Sequence, residues 1–62
     1  MAKWLIRTAH EGTQGPFVTE DIIQKIKTGI FSGEEAIAAY PDGDWKELSK
    51  ELVFYDALID SL

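Results

Sequence analysis

The hydrophobic pattern changes period along the chain, and each change marks an element. Lys3-Trp4-Leu5-Ile6-Arg7-Thr8 is rich in aromatic and β-branched residues and reads as a strand, with Trp4, Ile6 and Thr8 on one face and Lys3, Leu5 and Arg7 on the other. Further on, Ile22, Ile23 and Ile26 fall at i, i+1 and i+4, an apolar stripe about 100° wide on a helix. Thr19 is a good N-cap for that helix, and Glu20 and Asp21 suit the positive end of its dipole. Lys25 and Lys27 fall near the negative end, and Gly29 fits the C′ position, where positive φ is wanted. Start, stripe, charges and stop agree on a helix over roughly Glu20–Thr28.

Between strand and helix, Ala9 to Thr13 is a turn region. Pro16-Phe17-Val18 follows, and Pro16 lacks the N–H that a central strand requires, so the return arm of the hairpin is an edge or irregular extended segment. After the helix, Ser32-Gly33-Glu34-Glu35 reads as a capped turn of the 3₁₀ kind. Alanines favour helix, but Ala36 to Tyr40 is only five residues between turn signals, and Pro41 biases Tyr40 towards an extended backbone, so a strand is predicted. Tyr40-Pro41-Asp42-Gly43 has the chemistry of a turn, and Trp45-Lys46-Glu47 can pair back as a short strand. The expected fold is α+β: a small antiparallel sheet packed on one central helix, with a C-terminal helix added.

That last helix, over roughly Lys50–Ser61 with Ser49 as cap, is less tidy. Leu52, Phe54, Tyr55, Leu58, Ile59 and Leu62 spread over an arc of about 160°, wider than a surface helix needs. In one arrangement Leu52, Tyr55 and Ile59 cover the sheet or the first helix, and Phe54, Leu58 and Leu62 are left to meet a second copy or a following domain. In the other, the helix rotates to bury Phe54 and Leu58 and exposes Tyr55. The first is the expectation taken forward.

Length and composition narrow the classes. A 62-residue chain holds one domain and one core, and buries only about 60% of its unfolded surface. Without Cys it has neither disulfides nor Cys-zinc sites, so two Trp, three Phe and two Tyr must supply the bulk of the packing. A net charge of −5 with no basic stripe argues against nucleic acid and against anionic lipid surfaces. No apolar run approaches the ~18 residues of a membrane span, and the start of the chain lacks the apolar run of a signal peptide, which makes the cytoplasm the default compartment.

Catalytic chemistry finds little to stand on. His10, the only histidine, falls in the predicted hairpin turn with no partner at a telling spacing. Asp42 and Asp44 lack the alternating ligand spacing of a calcium loop. Gly12-Thr13-Gln14-Gly15 is not followed by the Gly-Lys-Ser/Thr of a phosphate loop. No nucleophile has a base in view, and no metal or cofactor is called for, which points away from an enzyme.

What remains is aromatic surface, and here spacing matters. Trp4 stands near the start, Gly15-Pro16-Phe17 follows the first strand, Ile22 and Lys25 lie on the helix, and Gly29-Ile30-Phe31 closes it. This resembles the GYF domains, and in particular their bacterial relatives. Their signature is an opening Trp-x-Tyr, then Gly-Pro-Phe, four residues, Met or Val, two residues, Trp, three residues, and Gly-Tyr-Phe. Asp44-Trp45-Lys46-Glu47-Leu48 looks like the Asp-Trp-x-x-Leu ending of the bacterial members. The resemblance covers about residues 3–50, with residues 50–62 as a helical extension expected to lead into a further domain.

The resemblance implies a non-catalytic adaptor that binds proline-rich peptides on an aromatic patch. Carried over residue by residue, that patch is Trp4, Ile6, Thr8, Phe17, Lys25 and Ile30. Ile6, Lys25 and Ile30 stand where eukaryotic members place Tyr, Trp and Tyr, so the flat rings that hold a polyproline helix are fewer here. The expected function is recognition of an extended segment, with or without proline, centred on Trp4 and Phe17. The alternative is a structural or dimerisation domain that works through Phe54, Leu58 and Leu62.

Overall fold

The computed structural model describes residues 2–61. Among these, the elements in order are β1 (Lys3–Thr8), β2 (Gly12–Val18), α1 (Thr19–Lys27), β3 (Ala36–Ala39), β4 (Lys46–Glu47), a 3₁₀ turn (Leu48–Lys50) and α2 (Leu52–Asp60). The fold is α+β, as the periodicities predict. The strands form one antiparallel sheet in the order β2-β1-β3-β4. β2, which contains Pro16, lies at an edge, where a missing donor costs no ladder bond. The four Ala36–Ala39 residues form a strand despite their helix propensity, because β1 offers a partner along their whole length, from Arg7 opposite Ala36 to Trp4 opposite Ala39.

Both helices cover the same face of the sheet. Trp4, Ile6 and Ile37 from the strands meet Ile22 and Ile26 of α1, Phe31, Leu48, and Phe54, Ala57 and Leu58 of α2. Each fully buried aliphatic side chain of this set contributes about 1.5–3 kcal/mol relative to exposure. No polar or charged residue is buried among the described residues, so the core is wholly apolar. On the opposite face Trp45 lies against the sheet, with the Arg7 guanidinium 4.0 Å from its ring centroid.

Several local expectations need correction. Thr19 does not cap α1; Val18 holds the N-cap position with no side-chain bond, and the Thr19 hydroxyl instead accepts the indole N–H of Trp4 at 2.9 Å. That bond satisfies a largely buried donor, a stronger demand than one exposed helix N–H. Ser49 does not cap α2 either. Glu51 does, accepting from the Val53 N–H at 3.5 Å while its carboxylate pairs with Lys46 at 2.9 Å. No 3₁₀ turn forms at residues 32–35. The Glu35 carboxylate folds back onto the Ser32 and Gly33 N–H groups, and the 3₁₀ turn lies at Leu48–Lys50.

Candidate functional site

The Gly15-Pro16 step determines where Phe17 points. Ile6 pairs with Gln14 and Trp4 with Phe17, so Leu5 alone on β1 stands opposite both Gly15 and Pro16 on β2. This is a β-bulge. Strict alternation would put Gln14 and Phe17, three residues apart, on opposite faces. The extra residue brings Phe17 back to the helix-covered face, beside Trp4. Gly15 makes this possible: its φ is 119°, and a Cβ there would stand 2.8 Å from the Trp4 carbonyl oxygen.

The C-terminus of α1 positions the next two residues. Thr28 ends the helix, the Gly29 N–H bonds to the Ile26 carbonyl at 3.1 Å, and the Ile30 N–H bonds to the Lys25 carbonyl at 2.9 Å. With Gly29 at φ 83°, this is a Schellman motif. It locks Ile30 one turn above Lys25 and turns the Ile30 side chain outward, 63% exposed. The Lys25 ammonium lies 5.0 Å from the Phe17 ring centroid, and among the described residues no carboxylate reaches it within salt-bridge distance.

These pieces meet in an open groove of about 360 Å³ between the tip of the β1–β2 hairpin and the end of α1. Thr8, Lys25 and Ile30 line it, three of the six residues singled out in the sequence, joined by Gln14 and by Phe31 at the base. His10, Glu11 and Glu35 form its polar rim. The Thr8 hydroxyl accepts the Glu11 N–H at 3.0 Å, and the Glu11 carboxylate accepts from the Gln14 amide. Among the described residues, no group of three or more His, Asp or Glu side chains comes together to hold a metal ion.

Trp4 and Ile6 do not belong to this surface. Both are buried, and the Trp4 ring meets Phe54 edge-on at 5.2 Å between centroids and 72° between planes. The expected patch centred on Trp4 and Phe17 is therefore corrected: Phe17 is half-buried beside the groove, and Trp4 is core. The reason is α2, whose Phe54 covers the ring. Gln14 carries no signal for the groove in the sequence: alternation counted back from Phe17 puts it on the opposite face, and only the bulge at Gly15-Pro16 brings both to the same face.

The C-terminal helix also differs from the arrangement expected for it. Phe54 and Leu58 are buried against the sheet and α1, so they are not a free contact surface. Leu52, Tyr55 and Ile59 face outward instead. The helix turns this way because Phe54 fills the space beside Trp4, and Leu58 and Ala57 close the core over it. Leu62, the third residue of the expected contact, lies outside the described residues.

No helix among the described residues is long and apolar enough to cross a membrane. No family model, curated protein or solved structure matches the chain.

Proposed function

We propose that this chain is a non-catalytic protein-interaction module of the GYF-like kind, which takes an extended peptide segment in the groove between the hairpin tip and α1. The observation that carries the reading is the convergence of Thr8, Lys25 and Ile30, from β1, α1 and the turn after α1, on one open groove. Its chemistry suits an extended backbone. Ile30 and the edge of Phe31 offer apolar contact, the unpaired Lys25 ammonium and the Thr8 hydroxyl can donate to peptide carbonyls, and the rim carboxylates can accept from N–H groups. Stacking contributes less, because Trp4 is covered and Lys25 occupies a position where a ring would lie flat. A purely proline-rich peptide is therefore expected to bind at ~0.1 mM or weaker, about −5.5 kcal/mol at best.

Peptide titration followed by amide NMR tests this reading. Extended peptides that carry a backbone N–H at every other position should shift Thr8, Gln14, Lys25 and Ile30, and Ile30→Asp should remove those shifts while the spectrum stays folded. Micromolar binding of a polyproline peptide, with its largest shifts at the Trp4 indole, would overturn the assignment of the site. A broad peptide set that leaves the groove residues unmoved would overturn the function.

A further inference from the structure

The groove between the hairpin tip and α1 holds a charge that the chain itself leaves uncompensated. Glu11, Lys25 and Glu35 are the charged residues that line it. The Glu35 carboxylate is committed elsewhere. It accepts the Ser32 N–H at 3.1 Å and the Gly33 N–H at 2.9 Å, and Gly33 is buried, so releasing it would strand a buried donor. The Glu11 carboxylate takes the side-chain amide of Gln14. Neither reaches Lys25, which has no salt-bridge partner among the described residues.

Lys25 is half-buried, and its ammonium lies 5.0 Å from the Phe17 ring centroid. A ring face satisfies one side of a cation only. An ammonium has three donors and no acceptor, so the rest must be met from outside. A peptide carbonyl would accept one bond and leave the charge unpaired, whereas a carboxylate accepts the bond and supplies the opposite charge. Beside Lys25, Ile30 is 63% exposed and Phe31 forms the base, which calls for an apolar side chain. In an extended segment, residues two positions apart share a face.

The net charge of −5 limits how acidic that segment can be. At physiological salt, charges more than ~8 Å apart are largely screened, while a contact pair with a half-buried lysine is screened much less. A run of acids would meet the repulsion of the whole chain, and a single acid gains the pair. We infer that, if the groove takes an extended peptide as proposed above, its partner is a protein segment with one acidic side chain and an apolar side chain two residues away, and that Lys25 selects the acid.

Two short end-blocked peptides test this by amide NMR titration of the chain at ~0.15 M salt. One carries a glutamate and an isoleucine two positions apart with no other charge, and the other has glutamine in place of the glutamate. The glutamate peptide should bind about three- to tenfold tighter, with shifts at Thr8, Lys25 and Ile30. Lys25→Gln, which keeps a good helix former, should make the two affinities equal while the spectrum stays folded. Lys25→Arg should keep the preference, and Lys25→Glu should transfer it to a peptide with lysine in place of the glutamate. Equal binding of the two peptides in the groove of the parent chain would overturn the selection of an acid and leave the groove reading standing. A preference that survives in folded Lys25→Gln would overturn the role of Lys25. Groove residues unmoved by either peptide, alongside a broad peptide set that also fails, would overturn the groove reading and this inference with it.

Discussion

α1 and α2 are each nine residues long, pack on the same sheet face and touch each other, yet they are built on different rules. α1 buries Ile22 and Ile26 and turns Glu20, Asp21, Gln24 and Lys27 to water. Its acids lie in the first turn and its lysines in the last, so its outer face is finished. α2 buries Phe54, Ala57 and Leu58 and still leaves Leu52, Val53, Tyr55 and Ile59 exposed. An amphipathic helix has one way to lie on a sheet. A helix that is apolar most of the way round can be rotated, and the partner residues of the core choose the face.

The largest effect that would break this comparison is loss of the face α2 did choose. Phe54 is fully buried against Trp4, so Phe54→Ala should cost about 3–5 kcal/mol, enough to unfold most of a domain this small. Urea titration followed by Trp fluorescence would measure it. If the variant kept its midpoint, the rotation of α2 described above would be wrong. Leu58→Glu should likewise unfold the chain, since it buries an unpaired charge.

A smaller effect probes how the sheet is tied to α1. Thr19→Val keeps the shape at the start of α1 but strands the Trp4 indole N–H, now held at 2.9 Å. The expected loss is about 1–3 kcal/mol, the cost of leaving a largely buried donor unsatisfied. A van't Hoff analysis of the melt would show it, and an unchanged melt would mean that water reaches the indole.

The smallest effect belongs to the outer face of α2. Leu52→Ser should change stability by no more than about 0.5 kcal/mol, because an 84% exposed side chain has little to lose. A loss comparable with that of Phe54→Ala would place Leu52 in the core and erase the difference between the two faces.

Much of this architecture is written locally. The alternation of Lys3–Thr8, the stripe Ile22/Ile23/Ile26 and the stop at Gly29 each depend on residues within a few positions of one another, and β1 and α1 stand within a residue of their expected places. Local chemistry also placed Pro16 at an edge and Gly29 at positive φ. The groove was legible in part: spacing singled out Thr8, Lys25 and Ile30, and the hairpin and the Schellman turn bring them together.

Tertiary structure alone decided the rest, because the deciding contacts join residues far apart in the chain. Whether Trp4 is a binding surface or core depends on Phe54, fifty positions later, and no local pattern links the two. The hydroxyl of Thr19 could serve a helix end or a distant indole, and burial of Trp4 gave it to the indole. In α2 the sequence narrowed the choice to two rotations and could go no further, since apolar residues lie on both sides. Filling the space over Trp4, Ile6 and Ile37 favours Phe54 and Leu58, and that packing is what leaves Leu52, Tyr55 and Ile59 facing outward.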